Sequence, residues 1–568
     1  RPVRWKKLAW RFRHPLPGLF LLVAALVLVS GLIYPPSNYD ALTYRLPRLF
    51  HWMAAGRWHW IESTLDPRFN VLSPFQEWLA APIVALTGSP RFLFLVNYIP
   101  FLLLPSLLFG TFRSVGVAPR VAWFWTWLIP AAGFCYFLQA GGLGNDSHAV
   151  IFLLASIYYP LQAARTKAVS DLWVGALSVA LLSSAKVTNT PLALCFLIAA
   201  WPARHLLQKQ KLATAGVLVV CLFASFLPQS FANHRHLGDW FGLSAFSSEG
   251  HHHTTSTLMG VAGNGIQLMV ANTLPPVLPA TKALQNIANR LQEGWLAPIR
   301  EHVPRFHLTL RILQTEEVAG LGSPLTLLIA CTLIGSLWIG GNAPVSRRGL
   351  LIGLAGWGGL FLFMAKVSSG ATPRIVAPYY PVCLLPLLLL PGHAALIRRK
   401  GWQLLAFGCT LVSVPLLILQ PARPLWPAQR VLANLSRAYP ESSLIRRIRT
   451  VYSIYRQRHA VLAPFLPYLP DEKHLGLISE GDLNITSLWL PVGNRVIHEI
   501  APENEAVIRK RFPFETCLIT ENGVQKHYHQ TASEWIASRG GVILAEQELQ
   551  FKASQPPVKC YLVKLPQE

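Results

Sequence analysis

Charge is what this sequence is short of. Of 568 residues, 13% are charged, and 26 acids stand against 50 lysines and arginines. An ordinary soluble domain carries about 25% charged residues. With 52% hydrophobic residues and a mean hydropathy of +0.37, the scarcity excludes a wholly soluble chain. It points to a polytopic α-helical membrane protein with some soluble mass attached. The formal charge of +24 sits largely in short clusters between apolar runs, as membrane orientation requires. No nucleic-acid module accompanies it, so nucleic acid is not an expected partner. The polar tail lacks a glycine-rich phosphate fingerprint too. The first apolar run has no obvious small-residue cleavage site after it and reads as a retained span. Six of the eight cysteines fall in apolar runs, where they read as packing residues. Cys517 and Cys560 lie on two candidate strands of the polar tail, either as a pair or as two buried thiols.

What is present is a regular alternation of apolar runs and basic loops. The basic stretch Arg1–His14 is placed in the cytoplasm by the positive-inside rule. A span over about 19–34 then brings Asp40 to the outer face. Residues 36–91 form an outer loop with two amphipathic helices, one from Asp40 to about Ala55 and one from about Phe75 to Leu86. Both are expected flat on the membrane, with Trp52, Trp58 and Trp60 at headgroup depth. Further runs at about 92–112, 121–138, 149–164, 172–182, 191–201, 212–231, 321–340, 350–365, 376–390 and 402–419 bring the total to about eleven spans. Every short inner loop holds two or more basic residues, so the parity closes. Residues 232–320 form a second outer loop. The domains expected are a membrane domain over 1–420 and an extracytoplasmic tail over 421–568. The tail is basic and helix-like to about 465. From about 473 it alternates strands (474–479, 516–520, 542–549, 558–563) with helices (503–511, 533–539), as a small α/β domain does.

In this topology the polar groups gather on one face. Asp40, Glu62, Asp66, Glu77, Asp146, His148, Lys186, Lys366 and Arg374 all fall at or near the outer surface, while the spans are nearly free of acids. A carboxylate close to the bilayer is costly and marks a functional candidate. Asp40 has a second reading, as a helix cap shared with Asn38, and the two roles are compatible. Cations here suit a phosphate, and a carboxylate suits proton removal from an attacking hydroxyl. A carboxylate also suits the oxocarbenium-like charge of glycosyl transfer. Other polar residues have plainer readings beside the functional one. Asp66 reads as a turn residue. Glu77 reads as a residue orienting the second amphipathic helix. Lys186 and Arg374 read as cations snorkelling to the interface. The tract His251-His252-His253 reads as solvated rather than metal-binding.

Four ordered segments resemble the membrane-embedded GT-C glycosyltransferases, in the branch of the aminoarabinose transferases, Rgt-like enzymes and protein O-mannosyltransferases. They are Tyr39-Asp40-Ala41-Leu42-Thr43-Tyr44-Arg45-Leu46-Pro47-Arg48; Ser73-Pro74-Phe75-Gln76-Glu77 running to Thr87-Gly88; Ala185-Lys186-Val187-Thr188; and Pro373-Arg374-Ile375-Val376-Ala377-Pro378-Tyr379-Tyr380-Pro381. Their order and spacing hold over about residues 15–395. Many relatives carry an Asp-Glu pair where Ala41 follows Asp40, and a Tyr where Ile375 follows Arg374. The resemblance implies a GT-C bundle with an extracytoplasmic α/β domain in the bacterial inner membrane. It implies inverting transfer of a hexosyl or pentosyl group from a polyprenyl-phosphate sugar to a lipid, glycan or protein acceptor. Asp40 would be the base, with Asp146 a second catalytic acid. Arg45, Lys186 and Arg374 would hold the donor phosphate, and Tyr44, Glu77 and His148 would lie on the acceptor side or behind the site. No metal or other cofactor is expected. Two other functions compete. A lipid-linked glycan polymerase or ligase would depend on 234–320. A transporter or flippase would place polar groups at the midplane and show repeat symmetry.

Overall fold

A computed structural model describes residues 15–566 apart from 250–252, 279, 343, 371, 482 and 554. The basic stretch before Pro15 and the histidines at 251 and 252 lie outside the described residues. The chain divides into two units. One comprises Arg1–Ile33 and Phe94–Leu425, and the other Tyr34–Leu93 and Trp426–Glu568.

The first unit is helical and follows the apolar runs. Pro15–Ile33, Leu95–Ser114, Asp146–Thr166, Arg347–Lys366 and Lys400–Leu411 all start within a few residues of the expected spans. Among the described residues six helices are long and apolar enough to cross a membrane, or seven if one bent pair is a single span. The chain is a membrane protein. Other expected spans fold with different lengths or as interrupted pieces. The run 172–182 extends to the helix Val169–Ala185, while 321–340 shortens to Ser323–Ile339, both of 17 residues. The run 376–390 is not one helix. Pro378, Pro381 and Pro386 remove amide donors, and the chain breaks into Thr372–Ile375, Tyr379–Cys383 and Leu385–Leu388. The run 121–138 bends by 60° between Pro119–Ala132 and Phe134–Gly141. Breaking a helix in an apolar setting frees backbone groups that must find partners. Here the amides of Phe134 and Cys135 donate to the carbonyls of Leu321 (3.2 Å) and Gly320 (2.8 Å). The expected outer loop 232–320 is folded. It carries Leu227–Leu237, Thr257–Thr273, Thr281–Glu293 and Ala297–His302, and Ile299, Val303, Phe306 and Leu308 form a core of its own against Met259 and Ile266.

The second unit is built on a five-stranded sheet of order β2-β1-β3-β5-β4. The strands are β1 (His474–Ile478), β2 (Val496–Glu499), β3 (Thr516–Thr520), β4 (Val542–Leu549) and β5 (Val558–Lys564). β1 runs parallel to β2 and β3, while β5 is antiparallel to β3 and β4. Ile478, Ile519, Val524, Trp535 and Val563 are in its core. β2 and the helix Glu521–Tyr528 were not expected. Cys517 and Cys560 are both buried and free. In the β3–β5 register Cys517 faces Val563 while Cys560 faces Thr520, so the pairing alternative is ruled out. The two helices expected in 36–91 are present as Leu46–Ala55 and Phe75–Thr87. Leu46 to Trp52 are all buried, Arg48 and His51 included, and this corrects the position expected for Trp52. Its indole is buried and donates to the His59 carbonyl at 2.9 Å. The stretch is fastened to the tail. Thr486 Oγ1 donates to the Leu42 carbonyl at 2.9 Å, and Arg458 Nη1 donates to that of Ser37 at 3.3 Å. The Glu499 carboxylate accepts from Leu65 N at 2.6 Å and Thr64 Oγ1 at 2.9 Å.

Candidate functional site

Two clusters of acids and cations hold most of the expected residues, one in each unit. In the second unit, residues Ala41–Arg45 form a π-helical turn, a rare geometry that recurs at functional sites. Asp40 stands at its start, half-buried. Its side chain makes no capping hydrogen bond, so the cap reading of Asp40 does not hold. Within the turn Tyr44 is 3% exposed, and three guanidinium groups approach its ring: Arg45 at 4.9 Å, Arg68 at 5.1 Å and Arg48 at 5.9 Å from the centroid. Burial pushes the Tyr44 hydroxyl well above the ordinary tyrosine range, so it is a neutral donor.

These cations are held by acids and carbonyls. Glu77, in the first turn of Phe75–Thr87, is 2% exposed. It binds Arg48 at 2.5 Å and Arg45 at 3.4 Å, which matches its plainer reading as an orienting residue. Arg48 also donates to the carbonyls of Phe69, Leu72 and Ser73. With that many partners it is a structural clamp on the loop, and the sequence reading passed over it. Asp66 receives Arg68 through both carboxylate oxygens and accepts from the Arg68 amide at 2.9 Å, the turn geometry expected of it. Arg458, from the tail, lies 5.6 Å from the Tyr39 ring centroid. It too was missed, because it is more than four hundred residues away in sequence. Glu62 pairs with Arg511 at the surface.

In the first unit Asp146 opens the helix Asp146–Thr166 and is 2% exposed. Lys186 Nζ lies 3.1 Å from its Oδ1 and Arg374 Nε 3.2 Å from its Oδ2. One buried carboxylate thus gathers two cations expected separately from distant segments. Local structure explains how. Asn145 donates to the Ala185 carbonyl, tying the start of one helix to the end of Val169–Ala185. Tyr379 Oη donates to the Thr188 carbonyl at 2.9 Å, and Tyr380 Oη to that of Pro373 at 3.2 Å, so adjacent tyrosines brace the segments bearing Lys186 and Arg374. Asn264 donates to the carbonyls of Met364 and Val367 and accepts from Thr372 Oγ1 at 3.0 Å. His148 is buried in the same first turn, its ring 6.1 Å from that of Phe152. Arg423 and Glu316 form a further buried pair at 2.8 Å, and Arg423 donates to the Leu138 carbonyl at 2.9 Å. The sequence reading did not see this pair. Lys366 joins neither cluster; its carbonyl accepts from the Thr254 amide at 3.3 Å and bonds His253 Nδ1 at 3.2 Å. Among the described residues no three His, Cys, Asp or Glu side chains gather as a metal's ligand set.

No family model and no curated protein matches this sequence. Solved structures do. ArnT from Cupriavidus metallidurans bound to undecaprenyl phosphate superposes with a TM-score of 0.51 at 13% identity, over 96% of this chain and 97% of that one. The apo ArnT structure matches with a TM-score of 0.50 at 12% identity, over 96% and 98%. The chain has the fold of ArnT. The likeness runs almost end to end in both chains, so the ArnT fold accounts for the membrane helices and the small sheet together.

Proposed function

We propose that this protein is an integral-membrane glycosyltransferase that takes its sugar from a polyprenyl-phosphate donor. The observation that carries the reading is the ArnT fold over 96% of the chain, together with paired cations around buried carboxylates on the expected segments. In this reading Lys186 and Arg374 hold the donor's phosphate. Asp146 presents them, neutralising one charge and leaving the trio net positive, which suits an anion. Asp40 takes the proton from the acceptor hydroxyl and stabilises the developing positive charge on the sugar. Attack from the face opposite the departing phosphate inverts the anomeric centre. Arg45, held by Glu77, is assigned to the donor phosphate as well, and Tyr44, Glu77 and His148 to the acceptor side or to the support of the site. No metal takes part, because two protein cations meet the single phosphate. The N-terminus lies in the cytoplasm of a bacterial inner membrane and the tail outside, with a lipid, glycan or protein as acceptor.

The test is transfer of radiolabelled hexose or pentose from a panel of polyprenyl-phosphate sugars, in nanodiscs, with and without chelator. Asp40→Asn is expected to lose roughly 10²- to 10⁴-fold in turnover, the usual span for a general base. Lys186→Gln is expected to weaken donor binding by about tenfold or more, the loss of one charged hydrogen bond. Equal transfer by wild type and Asp40→Asn removes Asp40 from the chemistry. Transfer abolished by chelator removes the metal-free mechanism.

A further inference from the structure

The tail contains a charged surface that the transfer reaction does not use. Residues 428–458 hold seven arginines and one acid, Glu441. They fold as two helices, Ala428–Ala438 and Ser443–Gln457, which pack on each other. Pro440 stops the first, and the Ser442 side chain starts the second by accepting from Ile445 N. The apolar residues recur at helical spacing, Val431, Leu432 and Leu435 on one helix and Leu444, Ile448, Val451, Tyr452 and Tyr455 on the other. Towards the base they are covered, and Tyr452 packs edge-on against Trp426 at 5.6 Å. At the tip they are not. Leu435 is 37% exposed, Leu444 41% and Tyr439 60%. Arg437, Arg446 and Arg447 surround them and are exposed, as are Arg430, Arg449 and Arg456. The one hydrogen bond that any of these six guanidinium groups makes to a described residue is from Arg446 to the Pro440 carbonyl.

We propose that this hairpin docks on an anionic bilayer leaflet, its tip entering the headgroup layer and its arginines pairing with lipid phosphates. Three features point to lipid. Apolar tip residues ringed by arginine are what the boundary between headgroups and acyl chains accommodates. The charge is nearly all of one sign and complements a phosphate-rich surface. The last apolar helix ends at Leu419, nine residues before Ala428, so the linking chain reaches at most about 30 Å and holds the hairpin near a membrane. The proposal concerns whichever leaflet the tail emerges from, and it does not rest on the glycosyl-transfer reading.

The experiment places an environment-sensitive fluorophore at Tyr439→Cys in the full chain, with Cys331 and Cys383 replaced by serine, in nanodiscs. In discs with about one third anionic lipid, the emission is expected to shift blue and to be quenched several-fold by lipids spin-labelled just below the headgroup. Both effects weaken in phosphatidylcholine discs, at high salt, and in the triple variant Arg437→Gln, Arg446→Gln, Arg447→Gln. These residues are exposed, and a monodisperse elution profile confirms that the variant folds. A blue shift without lipid quenching means that a protein surface or a second copy covers the tip, and it overturns the proposal. Quenching equal in all lipids and unchanged in the triple variant overturns the phosphate pairing. A shift produced by inorganic phosphate alone shows a site for free anions, which also overturns it.

Discussion

Buried charge decides behaviour at the scale of single residues. Arg423 and Glu316 are 1% and 3% exposed at their side chains. Removing one partner strands the other in a dry setting, so Arg423→Met is expected to cost about 3–5 kcal/mol, and Arg423→Met with Glu316→Leu to recover much of it. Thermal unfolding in nanodiscs reads both. Histidines give the second unit a pH dependence. Burial holds the imidazoles of His51 and His498 down to about 3, helped by His59 and His474 beside His51 and by His474 and His51 beside His498. Unfolded, they titrate near the ordinary 6.5. Below that pH the unfolded chain binds protons that the folded unit does not. Stability is therefore full above about 6.5 and falls as pH drops towards 3, by about 1.4 kcal/mol per pH unit for each histidine. His498→Phe is expected to flatten the slope of unfolding temperature between pH 6.5 and 4.5; an unchanged slope would remove His498 as a source. Asp40, Glu77, Asp146, Lys186 and Arg374 were visible in the sequence because acids and cations beside apolar runs are rare there. Arg48, Arg68 and Arg458 were not singled out, because their partners are fixed by tertiary contacts that no spacing encodes.

Among the elements, strands proved more legible than interrupted helices. β3 and β4 have the expected bounds, since short apolar segments between turn residues leave little choice. β2 was missed because His498 and Glu499 make it look polar. They are buried because Ser63, Thr64 and Leu65 come to meet them. The bend at Gly133 was missed because an apolar run looks the same whether its amides bond within the helix or to Gly320 and Leu321. A Cβ at Gly133 would stand 2.7 Å from both the Ile129 carbonyl oxygen and the Tyr136 ring. Gly133→Ala is therefore expected to destabilise the first unit by about 1–3 kcal/mol, read as a lower unfolding temperature in the same discs. The sheet makes a simpler prediction. Denaturing the protein without reductant and alkylating it is expected to label all eight cysteines, Cys517 and Cys560 among them; two unlabelled thiols by mass would show that they had been bridged.

At the scale of the whole molecule, alternation of charge gave an expected order of loops, and composition marked the chain as a membrane protein. Neither could show that Tyr34–Leu93 groups with Trp426–Glu568, because grouping is a matter of contacts and not of hydropathy. That grouping has a consequence for synthesis. The ribosome finishes Leu93 roughly 330 residues before it reaches Trp426, and at about 5–20 residues per second that interval lasts roughly 15–70 s. Throughout it the helix Leu46–Ala55, with the buried Arg48 and Phe50, lacks the strand β2 against which it packs, so the nascent segment has to be shielded by the bilayer surface or a chaperone until the tail arrives. Chains truncated after Leu425 should leave 34–93 open to protease in nanodiscs, while the full chain resists. The arrival of Trp426–Glu568 thereby sets when Tyr34–Leu93 becomes a folded object.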